Sequence, residues 1–311
     1  MLMSMGTTTK GRSLSRAEQA LASERLNAPA TIANTSRNAR AERDRHARWA
    51  PARDAFWQLL SPHLEHGARV AAVGAGNCDD FPLDRIASRS QEVALIDLDT
   101  DAVSAWRRRV PRHLRERITV IRHDVTNGAA DAIAAGAARA GVPLLPVIPE
   151  SPLPGSPYDL VIGDLLYSQT LYPALVDLDV PPSRTAAFVA RYAPVLTRSI
   201  VARLQISAPG GRVLHVHDPL AWWPGHSQPA SLEQILALAN VHPEAALRLA
   251  ARGRGPHHSD PRAALTGFGI PIDETALWRW PFASYVDYLV CATLTIAASD
   301  DLPISAPAWA H

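Results

Sequence analysis

The sequence predicts an α/β protein: a doubly wound, seven-stranded sheet of five parallel strands closed by a C-terminal antiparallel hairpin. Three observations predict it. Between Ala68 and Asp218, short apolar runs alternate with helical stretches, the pattern of a parallel sheet covered by helices on both faces. Each of the first four runs leads into a Gly or an Asp at its carboxyl tip. Beyond residue 270, two β-like runs follow one another with no helix between them, which calls for an antiparallel pair.

The elements follow in order. Residues 1–35 are rich in Thr, Ser, Ala and Arg without periodicity and read as a mobile leader. Residues 36–66 read as a helical segment whose apolar face includes Trp49, Phe56, Trp57, Leu59, Leu60 and Leu64, interrupted near Pro51; it should pack on the next domain or form a lid over it. The main domain spans 67–298, and 299–311 are a tail. ARVAAV (68–73), EVALID (92–97), ITVIRHD (118–124), YDLVIGD (158–164) and GGRVLHVHD (210–218) are the parallel strands. Helices are expected from Asp79 or Asp80, from Thr100, within NGAADAIAAGAARA, over roughly 184–207 and over 231–252. TALWRWPFA (275–283) and DYLVCATLTIA (287–297) form the hairpin.

Composition narrows the setting. Nearly half of the 311 residues are apolar (47%), enough for a sizeable core, yet no run is long enough to span a bilayer. The N-terminus lacks the apolar block of a secretory signal, and two cysteines make neither a disulfide framework nor a metal set. The expected compartment is the cytoplasm. Charge is uneven: residues 1–69 carry eleven Lys/Arg against six Asp/Glu, whereas the whole chain is at +1. A dilute basic leader of this kind is either a solvated arm or a nucleic-acid docking segment.

The stretch VGAGNCDD carries the functional signal. Gly74 and Gly76 let the backbone turn sharply at the end of the first strand, beside the position where doubly wound sheets bind ligands. A dinucleotide fingerprint requires a third glycine at 79, but Asp79 and Asp80 stand there. Two carboxylates repel a pyrophosphate and welcome an ammonium group. Asp97, Asp124 and Asp164 then end strands two, three and four. Asp97 is placed to accept from ribose hydroxyls and Asp124 from an adenine amine; each also suits a helix N-cap.

On these residues the chain resembles the class I S-adenosylmethionine-dependent methyltransferases, whose Rossmann-like sheet ends in an antiparallel hairpin. The resemblance covers about Ala68 to Ala297, through VGAGNC, ALIDLDTDAV, RHDV and YDLVIGDLLYS. It implies S-adenosyl-L-methionine as cofactor, with Gly74, Ala75 and Gly76 against its methionyl and ribose part. It places Asp97 on the ribose, Leu98 against the adenine, Asp124 and Val125 lining the adenine pocket, and Asp164 near the methionyl amine. Two positions depart from the pattern: Ala72 replaces the usual acid, and Cys78 the third glycine. Asp79 or Asp80 is the candidate to supply the missing charge.

The candidate catalytic residues are His217, Asp218 and Tyr167, a base or acceptor-contacting set at the tips of strands five and four, with Trp222 and Trp223 as a substrate wall. A packed strand residue and a structural Trp pair are the alternatives. His123, adjacent to Asp124, should point elsewhere by strand alternation. The motif after strand four is not the N-P-P-[FY] of exocyclic base-nitrogen methylases. The expected acceptor is a small molecule, at O or N, without a membrane partner. An RNA or protein acceptor, a non-catalytic cofactor-binding protein and an NAD enzyme are the competing readings.

Overall fold

The computed structural model describes residues 28–39, 44–141, 143, 151–255 and 257–298. Its centre is β1 (Arg69–Val73), which pairs in parallel with β2 (Glu92–Asp97) on one side and β4 (Leu160–Asp164) on the other. β3 (Ile118–Arg122) extends the sheet beyond β2, and β5 (Arg212–Trp222) lies beside β4, both parallel. β7 (Val286–Ile296) runs antiparallel between β5 and β6 (Glu274–Ala283). The strand order is β3-β2-β1-β4-β5-β7-β6; the five parallel strands and the antiparallel pair are those that the sequence predicts.

Alternation explains why β1 is apolar at every interior position. Val70 and Ala72 join a core with Phe56, Leu60, Ile86 and Trp106, whereas Ala71 and Val73 join one with Ile200, Val201 and Leu204. The first core lies under the helices Ala50–Leu60 and Leu83–Arg89, the second under the long helix Pro182–Ile206. A helix at Pro29–Ala39 runs across the boundary placed at residue 35; its Ala30 and Ala33 pack with the helix Ala129–Ala138 and with Leu171 and Leu175. The rest of the leader and the tail lie outside the described residues.

Four local readings change. The helix after the glycine loop starts at Leu83, not at Asp79 or Asp80, because Pro82 sets the start and leaves both acids in the turn. β3 stops at Arg122, so Asp124 lies two residues past the strand. β5 continues to Trp222 through Pro219, with a register shift between His217 and Leu220 against β7. Proline has no N–H for the ladder, and the bulge absorbs it. Finally, the helix expected over 231–252 is two, Leu232–Ala239 and Pro243–Ala250, since Pro243 begins a new helix.

Candidate functional site

The carboxyl edge of β1–β4 opens into a cavity of about 420 Å³, within the roughly 300–1,000 Å³ range of small-molecule sites. All ten residues that the sequence assigns to a cofactor line it: Gly74, Ala75, Gly76, Asp79, Asp80, Asp97, Leu98, Asp124, Val125 and Asp164.

The loop leaves β1 with Gly74 at φ +82°, and a Cβ there would lie 2.9 Å from the Asp164 carbonyl oxygen and from the Leu166 Cβ. Only glycine satisfies both the dihedral and the contact. Cys78, at the place of the family's third glycine, also adopts a left-handed conformation, φ +54°. The substitution keeps the turn, and the thiol joins the core beneath.

The carboxylates divide into two kinds. Asp97 accepts from the backbone N–H of Gly76 (3.0 Å) and of Asp99 (2.9 Å), so it fixes the glycine loop as well as facing the cavity. Asp124 accepts from the N–H and hydroxyl of Thr126, both at 2.8 Å, and from the N–H of Gly128. Each carboxylate has lone pairs left over for a ligand. Neither acid is the helix N-cap that the sequence allows: Gly128 occupies that position before Ala129–Ala138, and Asp99, not Asp97, accepts the Ala102 N–H; both acids organise turns and line the cavity.

Asp80 and Asp164 differ. Neither forms an ion pair among the described residues. Burial pushes Asp80 up to about 6, opposed by its own backbone N–H and by Arg45, with Asp79 adding repulsion. Asp164 is pushed well above the usual carboxylate range by burial, then by Asp80 and Asp97. Carboxylates crowded together where water is scarce, Asp164 buried and Asp80 half-buried, are costly unless a cation joins them.

Asp79 is already satisfied. It accepts from Arg45 Nε at 2.7 Å, and its two oxygens also receive Arg45 Nη2 and Arg109 Nη1. Arg109 further donates to the Asn77 carbonyl at 2.6 Å. Of the two acids considered as the replacement for the missing charge at Ala72, Asp80 is the one left for a ligand.

Several lining residues were not assigned to the site from the sequence. The helix Pro29–Ala39 supplies Ala30, Asn34, Arg37 and Asn38. It is tethered to the loops by Asn38 Nδ2 to Asp99 (3.2 Å), by Asn77 Nδ2 to the Asn38 carbonyl (3.0 Å), and by Asp131, which accepts the Ala30 N–H at 2.6 Å. Arg45, Arg48 and Trp49 come from the next helices, Trp280 and Phe282 from β6. His123 lines the cavity too, contrary to the alternation argument, because the chain has left β3 by then.

The three candidate catalytic residues do not line the cavity. The Tyr167 hydroxyl meets His215 Nδ1 at 2.5 Å in the core. His217 is buried 3.4 Å from Asp260, and burial lowers it to about 4. Asp218 is buried, accepts from the Ser168 hydroxyl at 2.6 Å, and is raised by burial to about 6. The packed-strand alternative describes β5 here, where both faces of the strand are covered. Trp222 donates to the Ala230 carbonyl and Trp223 stacks on His226 at 3.8 Å, so neither walls the cavity. The aromatic wall is instead Trp49, Trp280 and Phe282. Among the described residues no group of three or more His, Cys, Asp or Glu is arranged to hold a metal ion, and no helix is long and apolar enough to cross a membrane.

The strand order, the antiparallel β7 and the glycine loop at the tip of β1 define the class I methyltransferase fold that the sequence resembles. No protein-family model and no curated protein matches the chain. Solved structures do. An S-adenosylmethionine-dependent methyltransferase from Methanosarcina mazei is 12% identical, with 78% of this chain and 98% of that one covered, at a TM-score of 0.42. Magnesium protoporphyrin IX methyltransferase from Synechocystis PCC 6803, solved with S-adenosylhomocysteine bound, is 14% identical over 77% and 79%, at 0.38. A methyltransferase of this cofactor class from Aquifex aeolicus is 10% identical over 78% and 90%, at 0.37. The fold assignment itself stands on the strand order.

Proposed function

We propose that the protein is an S-adenosylmethionine-dependent methyltransferase acting at O or N of a small-molecule acceptor. The observation that carries the reading is the pair Asp80 and Asp164, carboxylates without ion pairs among the described residues that line the cavity beside Gly74. A diphosphate would meet repulsion there, whereas a ligand with an ammonium and a sulfonium restores the balance. The residues fit such a cofactor: Gly74 to Gly76 admit its backbone-hugging part, Asp97 takes the ribose, Leu98, Asp124 and Val125 the adenine, and Asp80 with Asp164 the ammonium. When bound, the cofactor supplies a methyl group activated for displacement.

The rest is positioning. An in-line displacement gains most from holding the acceptor at the right distance and angle. Trp49, Trp280 and Phe282 form one wall, and the tethered helix Pro29–Ala39 restricts water. The buried groups of β5 support the strand tip rather than abstract a proton. Calorimetry with S-adenosylhomocysteine and NAD tests the cofactor, and labelled S-adenosylmethionine with fractionated cell extract tests transfer. Binding of NAD alone would overturn the reading; cofactor binding without label transfer to any fraction would favour a non-catalytic binder.

A second reading has its own observation: Arg37, Arg45 and Arg48 reach the cavity from the basic N-terminal segment, as an RNA acceptor would require. Its signature is affinity that falls steeply with salt, from counterion release. Activity confined to a small-molecule fraction and insensitive to salt excludes it.

A further inference from the structure

We propose that Arg53 and Arg109, neither of which lines the cavity, are positioning residues for the ligand bound at the glycine loop: they grip residues 77–79 from behind and so set the shape that Gly74 to Gly76 present. Naming that ligand as the adenosyl cofactor rests on the methyl-transfer reading; the grip on the loop does not.

The loop needs holding. Gly74, Gly76 and Cys78 all have positive φ, at +82°, +49° and +54°. Cys78 carries a Cβ in that region, a conformation that persists only where the surroundings over-determine it. On the cavity side, Asp97 accepts the Gly76 N–H at 3.0 Å. Behind the loop is a second cavity of about 160 Å³, lined by Arg53, Cys78 and Arg109 and sharing no lining residue with the first. Arg109 donates through Nη2 to the Asn77 carbonyl at 2.6 Å and through Nη1 to Asp79 Oδ1. Arg53 Nη1 donates to the Asp79 carbonyl, and to that of His46 at 2.7 Å. Arg45 Nε takes the other Asp79 oxygen at 2.7 Å. The Asn77 and Asp79 carbonyls flank Cys78 in the chain, so the strained residue is fixed from both directions.

These bonds are charge-assisted and shielded: the Asp79 side chain is 9% exposed and that of Arg109 27%. In such surroundings they outlast the salt and water that weaken surface pairs. Their origins matter as much as their strength. Arg45 and Arg53 come from the helices Arg45–Arg48 and Ala50–Leu60, Arg109 from the connection between β2 and β3. The N-terminal segment also places Trp49 at the cavity, and its Asn38 carbonyl accepts from Asn77 Nδ2 at 3.0 Å. The seating of that segment and the shape of the ligand loop are therefore one coupled unit, and such coupling is reciprocal. Arg45 lines the cavity, so substituting it would mix direct contact with positioning; Arg53 and Arg109 separate the two.

The test uses the full chain as wild type, Arg53→Gln, Arg109→Gln and the control Arg89→Gln. Arg89 donates to the Ser61 carbonyl at the end of the helix Ala50–Leu60 and lies over the Trp57 ring, so its loss loosens the same helix without touching the loop. Calorimetry with S-adenosylhomocysteine, well below the Tm of every variant, reads affinity. Hydrogen exchange on the free proteins reads the N–H groups of Gly76 and Cys78, which are bonded to Asp97 and to the Ala75 carbonyl. The expected result is affinity at least about fivefold weaker in Arg53→Gln and Arg109→Gln, with faster exchange at Gly76 and Cys78 and unchanged exchange in β1 and β4. Arg89→Gln should bind as wild type does. Unchanged affinity in the two loop variants overturns the proposal, as does uniform acceleration across the sheet or an equal loss in Arg89→Gln, each of which marks a role in the fold alone. Should one loop variant fail to fold, the other decides. Failure of wild type to bind S-adenosylhomocysteine contradicts the methyl-transfer reading instead; the exchange pattern then decides the grip by itself, upheld by selective acceleration at Gly76 and Cys78 and overturned by any other pattern.

Discussion

At the scale of single residues, the site is decided by which carboxylate is left without a cation. The strand-tip rule makes Asp97, Asp124 and Asp164 legible, because position in a βα unit is enough to place them. The capture of Asp79 is not legible: its partners Arg45 and Arg109 lie 34 and 30 residues away, on elements whose approach only the fold determines. Asp80 supplies a pH test. An acid whose folded value is raised is stabilising while protonated, and that contribution is lost as pH rises through about 6. Asp80→Asn should therefore raise the Tm of the free protein at pH 8, by about 2–4 °C for each kcal/mol recovered, with the gain shrinking toward pH 4. The same substitution should weaken S-adenosylhomocysteine at pH 8 and flatten the loss of its affinity below pH 6. A lower Tm at pH 8 with unchanged affinity would show that Asp80 is satisfied by groups of the protein. Gly74→Ala should cost about 1–3 kcal/mol, from the left-handed dihedral and the 2.9 Å contacts. A denaturant titration measures it, and S-adenosylhomocysteine affinity should fall at least tenfold.

At the scale of elements, the helix Pro29–Ala39 adds a wall to the cavity at the edge of the sheet. Its first turn is held by Asp131, which accepts the N–H groups of Ala30 and Thr31. Asp131→Ala removes that cap, a change worth about 1 kcal/mol. Hydrogen exchange over residues 29–39 should then accelerate while exchange in β1 and β4 stays as in wild type, and S-adenosylhomocysteine should bind more weakly. Uniform acceleration across the sheet would mean that Asp131 supports the fold and not the cover. Prolines account for the element boundaries that pattern reading misplaces: Pro82 delays one helix, Pro243 divides another, and Pro219 lies in a strand that a bulge carries past it. Sequence periodicity reports which face is apolar, but it is blind to a bulge whose partner strand is seventy residues further on.

At the scale of the whole molecule, the seven-stranded sheet was legible because its apolar runs, its Gly and Asp tips and its final hairpin all point to one topology. The strand-tip side of the cavity followed from that topology. The aromatic wall did not, because Trp49, Trp280 and Phe282 come from segments far apart in the chain and meet only through packing of the helices Arg45–Arg48 and Ala50–Leu60 on β6. The tempting pattern His-x-His-Asp on β5 belongs to a strand buried on both faces, where His215 bonds to Tyr167, Asp218 accepts from Ser168, and His217 is buried 3.4 Å from Asp260. Because the ligand binds the folded state, S-adenosylhomocysteine at a hundredfold its Kd should raise the Tm by about 5–10 °C. The most direct test of the cofactor assignment is calorimetric titration of the wild-type chain at pH 8 with S-adenosylhomocysteine and, separately, with NAD. One equivalent of S-adenosylhomocysteine bound, with no heat from NAD and a loss of at least tenfold in Asp164→Asn, is the predicted result; NAD binding without S-adenosylhomocysteine binding would contradict it.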